Sequence, residues 1–595
     1  MQTDTIGDPT LVSPAAGEAD RTATRRRAHA LAVAGLVALG GLIRLVLIAV
    51  GWPETNSDEG FLGLMALRIG YHGEWPTFFP GQTYMGPHEA YLGAVLFRLF
   101  GSSLFVLRLG LVLLFVLFLV SSYLFTRIVY GSRWALITLA MLALGSPYVL
   151  SRELTAMGGY GETLLISSLL FLLAARLVLT YQPYRVFREH RWRLAGYAAW
   201  GVLAGTGLWA DLLVAPFALT SGVVLLIHCR REFVQLAAPL VAGAGLVIGM
   251  FPLLWFNLHA APGADTLSTL STLRGDPPAD LAAKLHAVWN AVRVSVPMMT
   301  GNPVCPADEV PALGPVTSWS RPCSLARAGW GTGYMLLLGV ATLLAVWAVW
   351  QAWRRRRTVA GDARPASLHL AMLAGALITF YLFAFSDAPV DSPGSHARYL
   401  IGLVVALPAV FRPFGEGIAA TAARRTSLAR AVKLGCATAL AAYTAALAVG
   451  TVLAFTEVPR TQADGRRTTV LVDTLLAHDV KHFYADYWTC GRIAFRTQER
   501  ITCGALTESL DMAPHNRYYE YWTATTADPR AAYVFSDNPC RSLPFYSCKG
   551  TSFLDKSDGT YRLPVVAAKL DKAGTPYQVL HVDGYVIYLV GGQPD

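Results

Sequence analysis

The stretch Asn56-Ser57-Asp58-Glu59-Gly60 follows the first apolar run of the chain, which extends from about Ala28 to Val50. It puts two neighbouring carboxylates where a membrane helix leaves the hydrocarbon. Glycines and aromatics crowd the continuation, GFLGLMALRIGYHGEWPTFFPGQTYMGPHEAYLGAVLFRLFG, residues 60–101. One reading is local: Ser or Asp before an apolar run is a common helix start, so the pair can serve as a cap. The other is chemical. A carboxylate at that depth can take a proton from a hydroxyl while a lipid-held molecule lies alongside in the membrane.

The whole chain decides what kind of setting this is. Its 595 residues are 54% hydrophobic, with a mean hydropathy of +0.42, which excludes an ordinary soluble protein. Apolar runs at about 28–50, 104–126, 134–150, 163–179, 194–209, 212–228, 234–256, 329–350, 368–386, 399–411 and 431–455 approach or reach the roughly 20 residues that cross a bilayer. The expected fold is a polytopic α-helical membrane protein with about 11 transmembrane helices and a C-terminal external α/β domain. Residues 90–100 are too short to span and read as an interfacial helix. Arg44, inside the first run, must snorkel or find a partner in the bundle.

Net charge is +10, and its distribution speaks for topology. Arg25-Arg26-Arg27, the group Arg185, Arg188, Arg191 and Arg193, Arg230-Arg231, Arg354 to Arg357, and Arg424-Arg425 recur after every second apolar run. Cytoplasmic loops carry such excess, so no nucleic-acid partner is expected. This places the N-terminus in the cytoplasm and the C-terminal domain outside the cytoplasmic membrane. Residues 1–27 read as a disordered tail and 28–456 as the membrane domain. That domain has a first external loop at 51–103 and a second large one at 257–328. Residues 457–595 form the soluble domain.

Cysteine gives an independent signal. Cys305, Cys323, Cys490, Cys503, Cys540 and Cys548 all fall in segments that charge assigns outside, while Cys229 and Cys436 sit alone at cytoplasmic ends. An oxidising outer compartment predicts that division. Nearest-neighbour disulfides Cys305–Cys323, Cys490–Cys503 and Cys540–Cys548 are expected. In the tail, VDTLLAHD reads as a helix, VKHFYADYW and AAYVFSD as strands, and YQVLHVDGYVIYLV as a hairpin turning on Asp583-Gly584.

Several side chains on the outer face have the chemistry of a transfer site. Asp58 and Glu59 are candidate bases. His396 and Arg398, in SPGSHARYL, and Arg108, near the start of the second span, are cations that could hold a phosphate. Tyr399, in the same stretch as Arg398, and Tyr84, in the first loop, count as substrate-facing. Glu89 and His88, in GPHEAY, and Glu162, in GGYGET, lie at external helix starts, where a cap explains either carboxylate as well as a substrate contact does. Asp211, between two apolar runs in GLWADLLVAPF, reads as a cap. PADLAAKLHAVWNAVRVSVPMMTG reads as an amphipathic helix on the outer surface.

The first-loop sequence SDEGFLGLMALRI…FFPGQTYMGPHEAYLGAVLFRLFG resembles the membrane glycosyltransferases of the C-type superfamily. The likeness is to the branch with protein O-mannosyltransferases and bacterial aminoarabinose transferases, and it continues in LRLGLVLL, GGYGE, HARYLIGLVVALP and FYADYWTCGRIAFRTQERI. The resemblance implies an inverting enzyme that takes a sugar, hexosyl or pentosyl, from a polyprenyl-phosphate donor at the outer face. The acceptor hydroxyl would belong to a lipid, polysaccharide or protein. The family's acidic pair falls on Asp58-Glu59, with Asp58 as base, and its phosphate-holding arginine on Arg398. No metal or other cofactor is expected, because the further acidic motifs of the metal-dependent oligosaccharyltransferases are missing. The competing class is a lipid or sugar transporter or flippase, for which inverted repeats would speak; none is visible.

Overall fold

The computed structural model describes residues 14–181, 187–235, 237–273, 280–302, 320–355, 362–422, 424, 426–507, 509–537 and 562–591. Helix α1 spans Pro14–Ala49. The part of the N-terminal tail from 14 to 27, expected to be disordered, is thus the first turns of a continuous helix. Its Ala, Glu and Arg residues are good helix formers, and they extend a helix that the apolar run has already nucleated. Residues 1–13 lie outside the described residues.

Among the described residues, six helices are long and apolar enough to cross a membrane, or up to nine if each of three bent pairs is one span. The chain is a multi-pass membrane protein by this pattern; about 11 spans were expected. The difference lies in runs that break. The 134–150 run becomes α5 (Ser132–Ala143) and α6 (Pro147–Leu154), bent by 85°. Runs 234–256 and 399–411 fall in pairs bent by 66° and 65°. Each second helix begins with a proline at its first or second position, here Pro147, Pro252 and Pro408, where a missing N–H costs least. Run 212–228 is a 3-10 turn followed by a helix of 14 residues.

The central helix α4 (Leu104–Tyr130) packs on α1, α5 and α7 (Tyr160–Leu179). Arg44 finds its partner there. It donates to both Glu153 Oε2, at 2.6 and 2.9 Å, and the carbonyls of Gly40 and Ala143. Elsewhere small residues bring backbones together. A Cβ on Gly201 would lie 2.1 Å from the Ala242 carbonyl oxygen, so Phe187–Ala210 and Ala238–Gly249 pack at glycine distance.

The first loop forms α2 (Ser57–Leu67) and α3 (His88–Phe100). Helix α3 buries Glu89, Ala90, Ala94 and Phe97 and exposes Val95, Leu99 and Phe100, the two-faced pattern expected of an interfacial helix. In Leu281–Asn290, read as amphipathic, Leu281 and Leu285 are exposed.

The C-terminal unit is an α/β sheet of five strands in the order β2-β1-β3-β5-β4. Its strands are β1 (His482–Ala485), β2 (Thr502–Ala505), β3 (Ala532–Ser536), β4 (Tyr577–Val582) and β5 (Tyr585–Val590). β1 pairs in parallel with β2 and β3, whereas β5 runs antiparallel to β3 and β4. The hairpin turns on Asp583-Gly584, both at positive φ. The run VKHFYADYW is a strand only as far as Ala485. Asp486 then accepts from the Thr489 N–H and starts the helix Tyr487–Arg496. The Cys490–Cys503 disulfide joins that helix to β2 across a Cα separation of 5.2 Å. Cys323 is buried and disulfide-bonded, while Cys305, its expected partner, and the pair Cys540–Cys548 lie outside the described residues.

Helix α2 and the C-terminal unit share one core, with Phe61, Leu64 and Met65 from the first and Phe483, Ile493 and Ile587 from the second. The two backbones nearly touch. A Cβ on Gly60 would lie 2.3 Å from the Gly491 carbonyl carbon, and one on Gly491 would lie 2.4 Å from the Ser57 oxygen. Arg68 adds ion pairs of 2.6 Å to Glu499 and to Glu520.

Candidate active site

The local fold separates the two carboxylates of the acidic pair. Asn56 takes the capping role, its side-chain oxygen accepting from the Glu59 N–H at 2.9 Å. Asp58 is thereby left free of the cap. Its Oδ1 accepts from the Tyr487 hydroxyl and, at 3.4 Å, from Arg517 Nη2. Arg517 Nε also donates to the Tyr487 oxygen at 3.0 Å and its Nη1 to the Pro80 carbonyl at 3.3 Å. Both partners of Asp58 come from the C-terminal unit.

Glu59, one position on, points into the bundle. Its side chain is fully buried and forms a two-pronged ion pair with Arg108 of α4, at 2.8 and 2.6 Å. It also accepts from the Ala156 N–H at 3.1 Å. Arg108, expected as a phosphate-holding cation, is spent on this pair, with 1% of its side chain exposed. Its Nε and Nη2 are both taken up by the Glu59 carboxylate.

Arg398 differs from Arg108 in this respect. It lies in the 3-10 stretch Ser395–Leu400, which Tyr148 pins by donating to the Gly394 and Ser395 carbonyls. Nη2 donates to the Tyr399 hydroxyl at 3.4 Å, while the buried Nε has no hydrogen-bond partner among the described residues. Among those residues it forms no ion pair. Its charge reaches Tyr84, which burial pushes upward in pKa and which also feels Arg517 and Asp211. Tyr84 thus feels both Arg398 and the Arg517 that contacts Asp58.

His396 stacks on Tyr399 at 5.5 Å, and its Nδ1 meets the Ala388 carbonyl at 3.3 Å. His88 stands edge-on to Trp209 at 4.4 Å, with neither ring nitrogen bonded among the described residues. Burial pushes it down to about 4, so it is neutral near pH 7 and supplies no cation there. Glu89 accepts from the Gly158 N–H at 2.9 Å, and burial together with the facing Glu162 holds its carboxyl well above the usual range. Asp211 caps Leu213 at 2.9 Å, as read from sequence, and burial pushes it up to about 7. Among the described residues no group of three His, Cys, Asp or Glu side chains is placed to hold a metal ion.

Tyr487 and Arg517 escaped the sequence reading. They lie more than 400 residues from Asp58. The only local hint for Arg517 is a cation within the aromatic run HNRYYEYW, and Tyr487 reads as part of a strand.

No protein-family model matches this chain, and neither does any curated protein sequence. Solved structures do match. ArnT from Cupriavidus metallidurans in the apo state gives a TM-score of 0.51 at 15% identity, over 94% of this chain and 99% of that one. The chain has the fold of this ArnT. The same protein bound to undecaprenyl phosphate gives 0.50 at 14% identity, over 94% and 99%. The oligosaccharyltransferase AglB from Archaeoglobus fulgidus, in complex with an inhibitory peptide and a dolichol-phosphate, gives 0.47 at 14% identity, over 85% and 69%.

Proposed function

We propose that the protein is an inverting C-type membrane glycosyltransferase. It takes a hexosyl or pentosyl group from a polyprenyl phosphate to an acceptor hydroxyl on the outer face of the cytoplasmic membrane. One observation carries the reading. Arg517, which contacts the partly exposed carboxylate Asp58, and Arg398, which forms no ion pair among the described residues, both act electrostatically on the same tyrosine, Tyr84. The fold shared with a protein that binds undecaprenyl phosphate supports a lipid-phosphate donor. In this reading the N-terminus is cytoplasmic and the C-terminal unit extracytoplasmic. The acceptor comes from lipid, polysaccharide or protein.

Asp58 takes the acceptor proton as the acceptor oxygen attacks the anomeric carbon. The bond from that carbon to the phosphate oxygen breaks on the opposite face, which inverts the centre. The lipid phosphate leaves with the bonding pair. A buried cation without a counterion meets an anion at a lower desolvation cost than a paired one, so Arg398 receives the leaving phosphate, with Tyr399 and Tyr84 alongside. Glu59 and Arg108 hold the start of α2 against α4 and stay out of the chemistry.

The test is transfer by the reconstituted full-length protein. It is supplied with labelled polyprenyl-phosphate sugars and envelope extracts of the host, and labelled product is separated from donor. Arg398→Gln is expected to weaken donor binding at least tenfold, the scale of a lost charge-assisted hydrogen bond. Donor binding unchanged in that variant, or no transfer with any polyprenyl-phosphate sugar, would overturn the reading.

A further inference from the structure

The C-terminal unit does more than sit on the membrane domain. We propose that Tyr487 and Arg517 are positioning residues for Asp58, so that this unit supplies a working part of the transfer site. The inference rests on the reading of Asp58 as the base.

The geometry is directional. Arg517 carries only donors, and its Nε–H points at the Tyr487 oxygen at 3.0 Å. With that lone pair occupied, the phenol turns its own proton to Asp58, and Arg517 Nη2 adds a second donor at 3.4 Å. Both hydrogen bonds fall on Oδ1. Among the described residues Oδ2 takes none, which leaves that oxygen to meet an acceptor hydroxyl. A carboxylate at the exposed start of a helix has two free torsions, and two donors on one oxygen restrict it to one orientation.

The two donors are themselves fixed. Tyr487 opens the helix that Asp486 caps and Cys490–Cys503 ties to β2. Ser57 clasps the same helix: its hydroxyl donates to the Tyr487 carbonyl and accepts from the Gly491 N–H at 2.6 Å. Arg517 lies over the Phe79 ring, 5.0 Å from its centroid, and reaches the Pro80 carbonyl of the first loop. One guanidinium thus joins the base, the hydroxyl that holds the base, and the loop beside it.

Docking alone would not require the hydroxyl. The Gly60–Gly491 approach, the Ser57 clasp and the Arg68 ion pairs hold the unit in place without it. Tyr487→Phe therefore removes the positioning and leaves the docking.

The experiment compares full-length Tyr487→Phe, Arg517→Ala, Arg517→Lys, Asp58→Asn and Tyr487→Phe/Asp58→Asn in proteoliposomes, reading kcat, donor KM and unfolding temperature. Tyr487→Phe is expected to lower kcat about tenfold with donor KM and unfolding temperature unchanged. The double variant is expected to be no slower than Asp58→Asn alone, because the hydroxyl acts only through the carboxylate. Arg517→Lys should recover part of what Arg517→Ala loses, which serves as the arbiter if Tyr487→Phe proves less stable. Tyr487→Phe at the wild-type rate beside an inactive Asp58→Asn would overturn the positioning role and leave the base standing. So would a defect confined to donor KM, or no recovery by lysine. Asp58→Asn at the wild-type rate would remove the base itself, and this inference with it.

Discussion

Asp58 and Glu59 are adjacent in the chain and belong to two different regions of the molecule. Glu59 sits in the bundle, with none of its side chain exposed, and closes a two-pronged pair with Arg108. Asp58 sits at the seam with the C-terminal unit, with 19% of its side chain exposed, and meets Arg517 with a single long contact. The same contrast separates the arginines. Arg108 and Arg44 each have a carboxylate inside the bundle, and Arg398 forms no ion pair among the described residues. At Arg44 and Arg108 charge is cancelled on the spot by a buried carboxylate, because an unpaired one would be costly there. At Asp58 and Arg398 charge is left partly open, which is where a substrate can use it.

Breaking the bundle side of this contrast should give the largest stability loss. Arg108→Leu leaves Glu59 buried without its cation and is expected to cost roughly 3–5 kcal/mol. The outcome to look for is loss of folded protein in thermal unfolding of the purified chain in detergent. Arg398→Gln, on the other side, should unfold within a degree or two of wild type. Equal losses in both variants would erase the distinction.

A smaller loss is expected at the seam itself. Gly60→Ala drives a methyl group into the Gly491 backbone at 2.3 Å, and relieving that clash costs about 1–3 kcal/mol. Because the two pieces separate there, limited proteolysis should release the C-terminal unit earlier than in wild type. Unchanged proteolysis would show that the backbones are not in contact.

The smallest effect is one of pH. Asp211, pushed up to about 7 by burial, holds its proton more tightly in the folded protein than in the unfolded chain, where it titrates near about 4. That contribution is complete below about pH 4 and disappears as the pH rises through about 7. The wild-type unfolding temperature should therefore fall between pH 5 and 8, and that of Asp211→Asn should fall less. Parallel profiles would show that Asp211 is not protonated in the fold.

What could be read in the sequence follows the range of the forces involved. The multi-pass class, the partnered Arg44, the Asp583-Gly584 hairpin and the Cys490–Cys503 bridge depend on composition or on close neighbours. The bends after Ala143, Gly249 and Val405 were less legible, because hydropathy registers an apolar run and is blind to its direction. The acidic pair stood out in sequence, but its division into a buried and an open residue did not. That division depends on Arg108, about 50 residues away, and on Asn56 taking the cap. Tyr487 and Arg517 were invisible for the same reason, since only the docking of the C-terminal unit onto α2 brings them to Asp58.

The most direct test of the account is turnover of Asp58→Asn beside Glu59→Gln, with donor binding and unfolding temperature measured on the same preparations. Asparagine keeps the shape of the side chain and removes its basicity. The account predicts that Asp58→Asn loses about 100-fold or more in kcat, the worth of a positioned general base, while it binds polyprenyl-phosphate sugar and unfolds as wild type does. Glu59→Gln should show the opposite pattern, a loss of stability with turnover of the surviving folded fraction largely kept. Near-normal turnover in Asp58→Asn would contradict the account and leave that carboxylate with a structural role only.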